Sequence, residues 1–188
     1  ALRDKDLGIW NEITWKEYNN NVSYLALALS KRGFKTGDVI GLIGDNKPSW
    51  LYFELAAQAV GGMSLGIYRD TLDEEVGYLI NAAKVSFVYA EDQEQVDKIL
   101  AIKRPKNDQI TMFYEDSRGL KELNDPHIVD MLELMNEGQA IAKKSPNKYN
   151  QMIDKVSAEQ EAILCTTSGT TSNPKLAMLP GGKFVEHV

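Results

Sequence analysis

Thr167-Ser168-Gly169-Thr170-Thr171-Ser172 is a run of six residues that carry either a hydroxyl or no side chain at all, and Lys175 follows it after Asn173-Pro174. Such a run is rich in hydrogen-bond donors and free of bulk, which suits phosphate. Backbone amides approach an anion closely where Gly169 removes the side chain, hydroxyls donate to phosphate oxygens or ligate a hard cation, and a lysine supplies a point charge. A Ser/Thr/Gly linker has the same composition, but a linker is seldom framed by apolar runs. Ala162-Ile163-Leu164-Cys165 precedes this one and Leu176-Ala177-Met178-Leu179 resumes directly after Lys175. A Walker loop requires glycine immediately before Lys-Ser/Thr, whereas Pro174 and Leu176 flank this lysine.

The elements that must hold such a loop are visible upstream. Tyr18, Val22, Leu25, Ala26 and Leu29 repeat at helical spacing between Trp15 and Arg32, with Thr14 and Glu17 spaced as a capping box and Gly33 as a stop. Asp38 to Gly44, carrying Val39, Ile40, Leu42 and Ile43, reads as a short buried strand, Pro48 to Ala59 as a helix ended by Gly61-Gly62, and Met63 to Ile67 as a second strand. Thr71 and Glu74 are spaced to cap a helix to about Ala83. A strand at Val85–Ala90, an acidic-started helix to Ile102 and a strand near Ile110–Tyr114 follow. His127 to Gly138 reads as a helix with Ile128, Met131, Leu132 and Met135 on one face, and Lys143 to Asn150 as a solvated loop. Strand-helix-strand units repeated this way predict an α/β fold, a mostly parallel sheet flanked by helices on both faces. The strand Ala162–Cys165 would deliver the loop to the sheet edge.

The segment Leu164 to Lys175 resembles the phosphate-loop signature of adenylate-forming enzymes at every constrained position. Ile13-Thr14-Trp15-Lys16-Glu17-Tyr18 is similar to the first core motif of that superfamily and Ala59 to Tyr68 to its second. Gly44-Asp45-Asn46, Pro48-Ser49-Trp50 and Ala90 to Lys98 look most like long-chain fatty acyl-CoA ligases. The resemblance implies the N-terminal part of the acyl-CoA synthetase-like fold and activation of a carboxylic acid with ATP and Mg2+, then transfer to CoA. It implies nucleotide binding by Thr167, Ser168, Gly169, Thr170, Thr171 and Ser172 with Lys175, and magnesium at Thr170 together with the ATP phosphates. Two departures stand out: Ser172, which the signature tolerates, and Leu176 each occupy a place where many members have glycine. Further on, Pro180-Gly181-Gly182-Lys183 replaces a usual Thr-His pair, so no role passes to His187.

Members of the superfamily are considerably longer, so the resemblance implies that residues 1–188 are a partial N-terminal AMP-binding domain. Its phosphate loop, 164–176, would lie near the C-terminal end, with the remainder of the N-domain and the C-terminal domain expected to be absent and no catalytic residue expected within it. Such a segment is expected to be inactive alone and to expose apolar surface. Another adenylate-forming ligase, acting on an aryl, amino or short-chain acid, and a non-catalytic nucleotide-binding α/β module remain as alternatives.

Composition narrows the partners. A net charge of −6 disfavours nucleic acid, which needs a basic face. Cys165 is the only cysteine, so no internal disulfide forms, and its apolar strand predicts a buried, unreactive thiol. With His127 and His187 as the only histidines, no triad or metal cluster can be assembled. The Gly41-x-x-Gly44 spacing lacks the rest of a dinucleotide fingerprint, and the acids of Glu91–Asp97 read as complements to a helix N-terminus. No segment reaches the roughly 18 continuous apolar residues of a membrane span. A cytoplasmic location is expected, and the resemblance to fatty acyl ligases is compatible with peripheral contact to a membrane.

Overall fold

The computed structural model describes residues 1–105, 108–123, 125–167 and 174–186. The chain opens with an antiparallel hairpin, β1 (Leu2–Asp6) and β2 (Ile9–Ile13), pairing Leu2 with Ile13 and Lys5 with Trp10. The sequence reading overlooked it. Its two-residue turn puts Leu7 (φ 46°) and Gly8 (φ 83°) both in the left-handed region, the geometry that matches strand twist, but a leucine there is an unusual signal. Helix α1 (Trp15–Lys31) follows the expected capping box: Thr14 Oγ1 accepts from the Glu17 amide at 3.2 Å and Glu17 Oε2 accepts from the Thr14 amide at 2.8 Å.

Strand β3 (Val39–Gly44), helix α2 (Pro48–Val60) and strand β4 (Met63–Tyr68) form the first crossover unit, with Gly61 closing α2 in the left-handed conformation. Helix α3 (Asp73–Ala82) starts two residues after Thr71. Its cap is Leu72, which makes no side-chain bond, so the helix start relies on Asp73, Glu74 and Glu75 against the helix dipole instead of the expected Thr71 cap. Strand β5 (Phe87–Ala90), helix α4 (Gln93–Leu100) and strand β6 (Thr111–Tyr114) continue the pattern, with the Asp92 side chain capping α4.

The next stretch corrects the sequence reading. Ile128–Asp130 is a strand, β7, because its β-branched Ile128 and Val129 are buried against Met112 and Phe113 of β6. Helix α5 (Met131–Lys144) begins only where the Asp130 side chain accepts from the Leu132 amide at 2.7 Å. Its buried face is Met131, Leu134 and Gly138, while Leu132 is exposed. The Lys143–Asn150 segment is not a loop throughout: Lys143 and Lys144 end α5, favoured by its dipole, and a short helix α6 (Lys148–Ile153) follows. Strand β8 (Glu161–Thr167), strand β9 (Lys175–Pro180) and helix α7 (Gly181–Glu186) complete the chain.

Among the described residues seven strands make one sheet in the order β7-β6-β5-β3-β4-β8-β9, parallel throughout except for β9, which runs antiparallel to β8. Alternate residues of β3 feed two cores. Ile40 and Leu42 pack with α1, α2 and α5, including Leu25, Phe53 and Leu134, while Val39 and Ile43 pack with Val76, Ile80 and Val96 of α3 and α4. Helices therefore cover both faces, as expected. Their presence forces the near-continuous apolar character of β3, whose six residues are all buried.

Candidate functional site: the carboxyl edge of the sheet

Strand β3 connects onward to β4 on one side, and β5 connects onward to β6 on the other. The neighbouring β3 and β5 thus mark the point where strand order reverses, and ligand crevices in such sheets open at the carboxyl ends there. In this protein that crevice is filled by its own charges. Glu91, just past β5 and 6% exposed, accepts from the Asp45 amide at 2.6 Å and from Lys47 Nζ at 2.8 Å. Arg69, past β4, donates to Asp45 at 2.6 Å and Asp92 at 3.2 Å, and Lys98 Nζ donates to the Arg69 carbonyl at 2.5 Å. Three successive strand-to-helix loops are tied together by this cluster. Asp45 beside it holds the Arg69 guanidinium above its ordinary pKa. Burial alone would lower Lys47, but the bond to Glu91 and the charges of Glu115, Glu91 and Asp116 outweigh it, and the net shift is upward. Gly44 is required where the two loops meet, since a Cβ there would lie 2.7 Å from Glu91 Cβ.

A second polar knot joins α2 to β5 and β6. Ser49 Oγ and Tyr89 Oη lie 2.8 Å apart and both donate to Glu115 Oε2, at 2.6 and 2.5 Å. Burial, then the charge of Glu115, pushes the Tyr89 phenol far above its ordinary range.

The open space lies one strand over. A groove of about 370 Å³ runs along β3, β4 and β8 under α2, with Ser64 and Gly66 on its floor, Trp50 and Glu54 on its wall, and Tyr68 and Cys165 along its length. Gly66 lets the indole sit down on the strand; a Cβ there would come within 3.0 Å of Trp50 Cζ2. Burial raises the Glu54 carboxyl above its ordinary value, against a smaller opposing effect from a bond with Trp50. Cys165 is half-buried on this groove, more accessible than the sequence implied, because β8 has only β9 beyond it at this edge. A hollow of about 220 Å³ at the opposite ends of the strands, beside Arg104 and His127, is less open to chemistry because Arg104 is already paired with Asp108 at 2.7 Å.

At its carboxyl end the groove meets the β8–β9 hairpin. Thr167 and Lys175 are cross-strand partners, and Thr167 Oγ1 donates to the Lys175 carbonyl at 3.3 Å. Strand alternation puts both on the face of Cys165, the groove face, and Lys175 is exposed. Of the residues proposed for nucleotide binding, the structure therefore brings Thr167 and Lys175 together at the mouth of the groove. Ser168, Gly169, Thr170, Thr171 and Ser172 lie outside the described residues. Among the described residues there is no group of three or more His, Cys, Asp or Glu side chains placed to hold a metal ion. Among them too, no helix is long and apolar enough to cross a membrane.

Sequence reasoning missed Glu91 as the hub of the ion-pair cluster, treating it with its acidic neighbours as a helix complement. Asp92 and Glu94 do serve the start of α4, whereas Glu91 faces back into the sheet. It missed Arg69 and Trp50 as well. The one available signal was position: Asp45, Arg69 and Glu91 all stand at strand ends.

The sequence model of a family described as AMP-binding enzyme matches residues 1–188. Long-chain-fatty-acid–CoA ligase ACSBG2 of Rattus norvegicus is 31% identical over 180 residues, covering 95% of this chain and 26% of that protein. The chain thus spans about a quarter of the length of this curated relative. The same fold occurs in the anthranilate CoA ligase AuaEII in complex with anthranoyl-AMP, with a TM-score of 0.74 at 16% identity over 93% of this chain and 31% of that one. ATP-bound MatB from Rhodopseudomonas palustris gives 0.73 at 21% identity over 94% of this chain and 31% of that one. Parallel strands in this order accompany a family match that runs from the first residue to the last, and the chain belongs to the AMP-binding enzymes.

Proposed function

We propose that this chain supplies the triphosphate grip of an ATP-dependent ligase that activates a carboxylic acid, a long-chain fatty acid, for transfer to CoA. The pairing of Thr167 with the exposed Lys175 just past Thr166, where the open groove ends, supports the reading, because a hydroxyl and a cation side by side suit an anionic nucleotide. The name of the rat relative supports the acid, and the ATP-bound relative supports the nucleotide.

In this reading a carboxylate oxygen attacks the α-phosphorus of ATP, the bond to the bridging oxygen breaks, and pyrophosphate leaves with that electron pair. The CoA thiol then opens the resulting acyl-adenylate and releases AMP. Hydroxide is a poor leaving group and AMP a good one, which is why the acid is adenylated first. The loop grips the β and γ phosphates: Thr167, Ser168, Thr170, Thr171 and Ser172 donate through hydroxyls and amides, Gly169 admits close approach, and Lys175 offsets the charge gathering on the departing pyrophosphate. Magnesium enters with the triphosphate, and Thr170 is its proposed protein ligand. By itself the 188-residue chain is proposed to be inactive, consistent with its spanning 26% of the ligase it matches. A cytoplasmic location belongs to the same proposal.

Lys175→Ala and Thr170→Ala, made in the protein that carries this chain, test it. Each should slow ATP–pyrophosphate exchange by about tenfold or more, as loss of a charge-stabilising donor does, with an unchanged circular dichroism spectrum. Exchange at the wild-type rate in both variants would remove the loop from the mechanism.

A further inference from the structure

The strand leaving the loop is anchored on both sides of Lys175. Before it, the Tyr78 hydroxyl on α3 donates to the Pro174 carbonyl at 3.1 Å, a contact between residues 96 apart in sequence. Proline has no amide hydrogen, so this carbonyl is the only backbone polar group through which position 174 can be held. After it, Leu176 packs on the same hydrophobic cluster that receives the Tyr78 ring. Residues 174 and 176 are therefore fastened toward α3, and strand alternation turns Lys175 the other way, toward Thr167 and the groove. Helix α3 is itself moored to the carboxyl edge, since the loop that introduces it carries Arg69, bonded to Asp45, Asp92 and Lys98. A continuous line of contacts thus runs from the ion-pair cluster through α3 to the loop exit.

We propose that Tyr78 is a positioning residue for the phosphate grip: its hydroxyl fixes the carbonyl before Lys175 and thereby sets where the ammonium group meets the nucleotide. This rests on the reading of the loop as a triphosphate grip. In this proposal the effect of Tyr78 passes through the Pro174 carbonyl to Lys175 alone. A hydroxyl that served only to stabilise the hairpin would instead affect folding and all kinetic constants together.

The test is Tyr78→Phe in the protein that carries this chain, which keeps the ring and its packing and deletes one hydrogen bond. KM for MgATP in ATP–pyrophosphate exchange should rise about three- to tenfold, the range of one neutral hydrogen bond. KM for the acid should stay within about twofold and Tm within about 1 °C, because a half-exposed carbonyl regains water. In the Lys175→Ala background the same change should add almost nothing, since the two residues act as a unit. An unmoved KM for MgATP overturns the proposal. So does a parallel decline of Tm and every kinetic constant, or full additivity with Lys175→Ala. Wild-type protein that exchanges with no acid would overturn the proposed function and this inference with it; normal wild-type exchange with an unresponsive Tyr78→Phe overturns this inference alone.

Discussion

Truncating Glu91 to alanine should unhinge the carboxyl edge, and the size of the effect follows from what the carboxylate holds. Its side chain is 8% exposed and bonds the Asp45 amide at 2.6 Å and Lys47 Nζ at 2.8 Å, with Arg69 at 3.8 Å. Removing one partner of a fully buried pair costs about 3–5 kcal/mol, but Lys47 is 39% exposed and can turn to water, which cuts its share to about 1 kcal/mol. The Asp45 amide, deprived of its acceptor, adds about 1–2 kcal/mol. The sum of about 2–3 kcal/mol should lower Tm by about 5–10 °C for a chain of this size. Urea unfolding at pH 7 measures it, and a cycle with Lys47→Met isolates the pair: in the Glu91→Ala background Lys47→Met should cost nothing or restore stability, while in the wild type it should cost about 1–2 kcal/mol. A loss below about 0.5 kcal/mol for Glu91→Ala, or simple additivity in the cycle, would show that the cluster does not tie the three loops together.

Gly138→Ala should destabilise despite alanine's better helix propensity, because a Cβ there would overlap the Tyr24 carbonyl where α5 crosses α1. We expect a net loss of about 2 kcal/mol by thermal unfolding, and a stabilised variant would contradict the crossing. Alkaline stability should fall above about pH 10: the folded-state pKa of Tyr89 is raised, so the stability it contributes is complete below the ordinary tyrosine value and is lost as pH rises past it. Tyr89→Phe should make that decline shallower in urea titrations from pH 8 to 11; an unchanged slope would refute the assignment. On the acid side, the side-chain and backbone bonds from Arg118 hold Asp116 at about 2 against an ordinary 3.8, so its contribution is present above pH 3.8 and fades as pH falls toward 2. Arg118→Ala should move the Asp116 titration, followed by NMR, part of the way back toward the ordinary range, because the amide at position 118 still donates to the carboxylate.

Much of the architecture was legible because its local signals agreed with its tertiary ones. The Thr14–Glu17 box, Pro48 at the start of α2 and Gly61 at its end each mark a boundary that the fold keeps. Where local and tertiary signals parted, the reading failed. Ile128 fits a helical repeat with Met131, Leu132 and Met135, yet β6 offers it and Val129 an edge to pair with, and pairing wins. The hairpin at the start was hidden because its turn carries Leu7 in place of the Asn or Asp that normally announces one. The same division holds at the site. The loop composition around Thr167 and Lys175 is a local pattern, whereas the bonds of Glu91 to Lys47 and of Tyr78 to Pro174 join residues that only the strand order brings together.

The most direct test of the central claim is ATP–pyrophosphate exchange by the protein that carries this chain, measured across acids from acetate to palmitate together with aromatic acids and amino acids. Exchange should peak with the long-chain acids. A peak elsewhere would contradict the assigned substrate, and no exchange with any acid would contradict the adenylation chemistry itself.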